Sequence, residues 1–280
     1  MSGLKNLVTI AGDRSAGLRR LAEAIVVVSL LAIGLFSLPV ASLGPGRSLL
    51  PGDPTAARAN IFLLEHFHQW VTGRTPHYQA TPGFAAQDNA AALSDNLVAT
   101  APVFSLFRST GFSRETAFQL WLLVLFTLNY SCCWWALWRY ARSPVIAACG
   151  AFVFAFGIQT LVAMDHAQLL ARFPMPLALL ACLTWLERGG WKPLAAAAFS
   201  IALQFYCGVR MGNVLMVGIV IMVVFHSLTN ARPLLRDREL LRRRIAGALA
   251  LAVGAPLIAA PVVLPYFNAA PDWSPPPALE

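Results

Sequence analysis

The residues able to act as acids, bases or anion holders are few, and they collect near the ends of apolar runs: Asp53, Asp165 and His166, with Arg58, Arg172 and Arg210. A carboxylate such as Asp53 can take the proton of an attacking hydroxyl, and a guanidinium fork matches two oxygens of a phosphate. Arg58 follows Pro54 by one helical turn, which keeps it near Asp53. Asp53 before Pro54 is equally a good helix start, a capping side chain followed by proline at the first helical position, and the two roles are compatible. Asp165 and His166 form a second constellation. With Asp53 they could hold a divalent cation, magnesium or manganese, through Asp53 and Asp165, but one aspartate and one histidine are a thin addition and the plainer reading is a polar end to an apolar run. For the three arginines the plainer reading is a charged head reaching water from an apolar stem.

The elements that must position these groups are apolar helices. Of the 280 residues 58% are hydrophobic and 12% charged, a balance outside the soluble range, so lipid is the expected solvent. Stretches free of Asp, Glu, Lys and Arg predict an all-α polytopic bundle of about seven spans, near residues 21–44, 116–139, 144–165, 169–187, 193–210, 211–230 and 245–268. The fourth and fifth are the shortest. No span carries an ionisable acid or base at its centre, unlike proton-coupled carriers, and His226 lies toward one end of its span. The net charge of +8 does not point to nucleic acid, because the basic residues recur between the apolar runs instead of forming one patch. With the N-terminus inside, 14 basic residues fall on the cytoplasmic side against 7 outside, most of the latter in one long loop where the rule weakens. That orientation places the N-terminus in the cytoplasm and the C-terminus outside. The first apolar stretch is too long for a signal-peptide core and lacks a clean cleavage site, so it reads as a retained anchor.

Between residues 45 and 115 the chain forms one long extracytoplasmic loop. Ala57, Ile61, Leu64 and Val71, with Phe67 and Trp70, make an apolar face at helical spacing and Glu65, His66, His68 and Gln69 the other. This predicts an amphipathic helix from Pro54 to Thr72 lying on the outer leaflet, with Trp70 at headgroup depth. Residues from Gly73 to Asn96 should be irregular, and Leu97 to Phe107 should form a short interfacial helix that Pro102 interrupts. Cys132, Cys133, Cys149, Cys182 and Cys207 have no zinc or redox spacing and read as small packing residues. Trp134, Trp135, Trp138 and Tyr140 read as an inner interfacial belt, and the cluster Arg236, Arg238, Arg242, Arg243 and Arg244 as a topology signal touching anionic lipid. Pro256, Pro261 and Pro265 should kink or break the last span. An outer tail of Asp272, Trp273 and three prolines leads us to expect that a C-terminal part is lacking, or that the chain is a shortened relative of something longer.

A first span, an aspartate in G-D-P-T at Gly52 to Thr55, and a long outer loop with a surface helix together resemble bacterial membrane glycosyltransferases of the GT-C fold. The run D-H-A-Q-L-L-A-R-F-P-M-P-L-A-L-L at Asp165 to Leu180 looks like the His-containing outer turn and P-x-P-L start of a span in that superfamily. L-Q-F-Y-C-G at Leu203 to Gly208 is similar to the family's segment before its next outer turn. The resemblance implies an inner-membrane enzyme that moves a sugar from a polyprenyl-phosphate donor to an acceptor on the extracytoplasmic side, inverting the anomeric centre. It implies catalytic roles for Asp53, Asp165 and His166 and donor-phosphate roles for Arg58, Arg172 and Arg210, with acceptor contacts expected around His77, Asp88 and Asp95. Two other readings share the architecture: a carrier or flippase for a lipid-linked glycan, for which the spans offer only scattered Ser, Thr, Asn and Gln, and a non-catalytic partner in envelope glycan assembly.

Overall fold

A computed structural model describes residues 2–78, 96–230 and 238–268, the side chains of residues 2–16, 165 and 240 excepted. Asp88, Asp95, Arg236, Asp272 and Trp273 lie outside the described residues, as does most of the loop expected to be irregular. All regular structure among the described residues is helical: α1 (Ser2–Leu35), α2 (Pro54–Val71), α3 (Ala101–Ser109), α4 (Arg114–Ala141), α5 (Pro144–Phe156), α6 (Ile158–Val162), α7 (Pro174–Arg188), α8 (Trp191–Cys207), α9 (Val209–Thr229) and α10 (Arg238–Asn268). Short 3-10 turns, Ala163–Asp165 and Ala167–Leu169, join α6 to α7.

The helix starts follow from local chemistry. Asp53, Ser113 and Ser143 each accept a hydrogen bond from the backbone N–H three residues on, at 2.8, 3.1 and 3.4 Å, which satisfies a donor the helix leaves open. Proline stands at the start of α2, α5 and α7, where its missing N–H costs nothing. Pro102 belongs to this set, since it opens α3 instead of interrupting it. Pro39 lies inside a π-helical turn, Phe36–Val40, at the end of α1, a wider winding that tolerates a lost donor.

Among the described residues six segments are long and apolar enough to cross a membrane: Gly17–Val40, Arg114–Ala141, Pro144–Val162, Ala167–Arg188, Val209–Thr229 and Leu241–Phe267. The expected seventh is α8, whose 17 residues reach about 25 Å at 1.5 Å per residue, short of a hydrocarbon core of about 30 Å. The third span is two helices, because Gly157 takes an extended ψ of 172° between α5 and α6. The three prolines of α10 do not break it: the helix runs from Arg238 to Asn268 with Pro256, Pro261 and Pro265 inside it. Each proline removes one ladder bond and leaves its neighbours in place, a loss that apolar helices tolerate.

Packing divides the bundle into α1, α4 and α5 on one side and α7, α8, α9 and α10 on the other, with α4 also meeting α7. At one end, α2 and α3 lie over α4 and share its core of Leu64, Phe104, Phe118, Trp121 and Leu125. All five cysteines are free thiols. The loop end is braced from inside. Asn129 on α4 donates to the Leu170 carbonyl at 2.6 Å and accepts from the Arg172 N–H at 3.0 Å, while Gln204 on α8 donates to the Ala171 carbonyl at 2.9 Å. Three successive backbone units outside any helix thereby find partners in the interior, where an orphaned group would be costly.

Gly34 marks a close approach of α1 to α5, since a Cβ there would fall 2.3 Å from the Phe156 ring. Phe156 is itself held between Phe126, Tyr130 and Phe152, so it has little room to yield. Gly34→Ala is therefore expected to lower stability by about 1–3 kcal/mol, the usual cost of overpacking, read as a lower thermal midpoint in detergent. Gly218→Ala, with open space around its Cβ position, should leave that midpoint within error.

Candidate functional site

The first loop returns to the bundle as a groove of about 800 Å³, bounded by residues 48–52, one face of α2 and the start of α4. Arg58, Phe62, Glu65, His66 and Gln69 form a single stripe along α2, and Arg114 and Glu115 face them from α4. Leu49 and Phe62, both exposed, give part of the groove an apolar rim.

Burial of α2 is the main departure from the expected surface helix. It packs against α3, α4 and the Ala167–Leu169 turn, and Glu65, His66 and His68, expected to face water, are buried. Their partners come from distant sequence. Arg108 on α3 meets Glu65 with Nε donating to Oε2 at 2.8 Å and Nη2 to Oε1 at 3.2 Å, and also donates to the Phe112 carbonyl. Arg114 stands 3.5 Å from the same carboxylate with its side chain 56% exposed, which leaves a guanidinium edge on the groove. Burial alone would push the Glu65 carboxyl up, but the hydrogen bond from Arg108 and the charges of Arg108, Arg114 and His68 outweigh it and hold it below the ordinary value. A carboxylate so compensated is a poor proton acceptor and a good anchor for cations.

The two histidines differ in role. His68 places Nδ1 2.8 Å from the Ser105 hydroxyl, tying α2 to α3, and burial, reinforced by Arg108 and Arg74 and opposed by Glu65, lowers its pKa. His66 puts Nε2 2.8 Å from the Tyr78 carbonyl. A carbonyl only accepts, so Nε2 is the donor in this bond, and Nδ1 is buried without a partner among the described residues. The Tyr78 ring stacks on His66 at 5.8 Å, and its burial raises the phenol to about 12.

The sequence-predicted residues gather at the same end but do not form one cluster. Asp53 is exposed at the cap of α2, between Gly52 and Pro54, which line the groove. Arg58 lines it as well. His166 is exposed at the turn before Ala167, and the Asp165 side chain lies outside the description. Arg172 is not on the groove. It is buried, donates to the Phe154 carbonyl and the Thr160 hydroxyl, and lies over the Phe154 ring at 5.2 Å. Arg210, exposed in the first turn of α9, and His77, also exposed, do not line the groove either. No three metal-ligating side chains converge among the described residues. Sequence reasoning missed Glu65, His66, Gln69, Arg114 and Glu115 as groove residues; the available signal was that the polar positions 58, 65, 66 and 69 share one side of α2.

Fold and site together describe a helical membrane-type chain in which a capped, partly buried helix and the start of α4 each present an arginine to a groove beside an apolar rim. Compared with protein-family models, with curated proteins and with solved structures, the chain finds no match.

Proposed function

We propose that this chain is a membrane glycosyltransferase of the GT-C kind, or a shortened relative, which moves a sugar from a polyprenyl-phosphate donor to an acceptor on the extracytoplasmic side of a bacterial inner membrane. The observation that carries the reading is the groove itself: Arg58 and Arg114, the latter steered by Glu65, stand beside Leu49 and Phe62 and next to the Asp53 cap. A lipid phosphate needs that combination of cations for its oxygens and an apolar flank for its chain. In this reading α8 makes a seventh crossing, the N-terminus is cytoplasmic, and the groove faces outward, as the distribution of basic residues suggests.

The reaction balances in one displacement. The acceptor hydroxyl oxygen attacks the anomeric carbon, the bond from that carbon to the phosphate oxygen breaks with its electron pair going to the phosphate, and the hydroxyl proton passes to Asp53. Inversion follows. Arg58 and Arg114 stabilise the charge growing on the leaving phosphate.

The test is a donor screen. Purified protein in nanodiscs, incubated with polyprenyl-phosphate-linked labelled sugars and a membrane extract as acceptor, is expected to release free polyprenyl phosphate with stoichiometric transfer of label. Movement of intact donor between leaflets without transfer would replace this reading with a lipid-linked glycan carrier. Neither transfer nor movement across the panel would leave a non-catalytic membrane partner.

A further inference from the structure

The opposite end of the bundle holds a second trough, of about 680 Å³, between the last turns of α4 and the α7–α8 turn. Arg139 and Arg142 stand on its α4 wall, and Arg188 and Lys192 on the other. All four are exposed, and none of the residues lining the trough is acidic. The second pair is brought round by Gly189 and Gly190, whose φ values of 73° and 90° L side chains rarely adopt. Away from the cations the lining turns apolar, with Leu177 and Leu180 on α7, and the Arg139 guanidinium lies 5.9 Å over the exposed Trp135 ring.

Cations that only fix topology can each face water separately. Here two pairs confront one another across a single trough whose lining continues as apolar helix surface, a form that fits a charged headgroup with chains below it. Two pairs of cations match two phosphates, since each phosphate oxygen set can engage a guanidinium fork and a neighbouring charge. We infer that this trough binds one anionic phospholipid bearing two phosphates, one phosphate on Arg139 and Arg142 and the other on Arg188 and Lys192, with acyl chains along Leu177 and Leu180. The inference is independent of what the groove at the other end transfers.

Lipid exchange on the full-length chain in neutral detergent tests it. The protein is equilibrated with diphosphatidylglycerol, phosphatidylglycerol or phosphatidylcholine, and lipid remaining per chain is measured after washing. The wild type should retain one diphosphatidylglycerol at about ten-fold lower free lipid than phosphatidylglycerol, and excess inorganic phosphate should not displace it. Arg139→Gln with Arg142→Gln, and separately Arg188→Gln with Lys192→Gln, should each abolish that preference. The exposed single change Lys192→Gln should weaken retention several-fold with an unchanged thermal midpoint, and Arg19→Gln, a cation that does not line the trough, should leave the preference for diphosphatidylglycerol unchanged. Equal retention of the two anionic lipids, displacement by inorganic phosphate, or a preference that survives both double substitutions would each overturn the site.

Discussion

Asp53→Asn is expected to lower sugar transfer by about 10²–10⁴-fold, the usual contribution of a positioned general base, while leaving expression and thermal midpoint unchanged. The substitution separates two roles that coincide at this residue. Asparagine caps a helix about as well as aspartate, so the hydrogen bond to the Ala56 N–H, 2.8 Å in the wild type, has a replacement and α2 keeps its start. What asparagine lacks is a basic oxygen to receive the acceptor's proton. Release of polyprenyl phosphate under single-turnover conditions reads the chemical step directly. Full activity in the variant would remove Asp53 from proton transfer and leave it a capping residue.

Glu65→Ala is expected to cost about 3 kcal/mol, because it leaves Arg108, whose side chain is only 19% exposed, without its counter-charge. For a chain of this size that corresponds to a thermal midpoint lower by about 6–12 °C. Replacing both partners, as Glu65→Leu with Arg108→Leu, should recover much of the loss, since no buried charge then remains unpaired. A midpoint unchanged by Glu65→Ala would mean that the pair does not hold α2 in place. The same cluster sets an acid limit. The lowered Glu65 pKa contributes stability that is complete above the ordinary value of 4.5 and is lost as pH falls through the folded-state value. The lowered His68 pKa acts earlier: below the ordinary 6.5 the unfolded chain binds a proton that the folded chain resists, so stability already declines between neutrality and the carboxylate range. Midpoints measured from pH 7 down to pH 4 should fall throughout.

Hydropathy carried much of the fold, because a span announces itself by length and the absence of charge. It failed where those two measures say little. Residues 193–210 do form an apolar helix, but hydropathy misplaces its bounds: α8 starts at Trp191 and ends at Cys207, where Gly208 and the turn into α9 intervene. Pro256, Pro261 and Pro265 read as breakers only if each lost bond is counted alone, and α10 keeps its remaining ladder. For α2, the helix and its Asp53 cap were legible to within a residue, since both depend on neighbours in sequence. Its surroundings were not. The polar side that implied water instead meets Arg108 and Ser105 on α3 and Arg114 on α4, partners 37 to 49 residues away that no periodicity reveals. Arg172 illustrates the converse: the sequence offers a cation near the end of a span, and only the fold supplies the Phe154 carbonyl and Thr160 hydroxyl that occupy it.

We propose that the groove between α2 and α4 holds a lipid-linked phosphate on Arg58 and Arg114. Native mass spectrometry of the purified chain with added polyprenyl phosphate, comparing the wild type with Arg58→Ala and Arg114→Ala, tests it most directly. The account predicts one polyprenyl phosphate retained per wild-type chain, weakened about ten-fold or more by each substitution, as expected for loss of a charge-assisted contact to phosphate. Retention no greater than that of phosphatidylglycerol, or unaffected by either change, would contradict it.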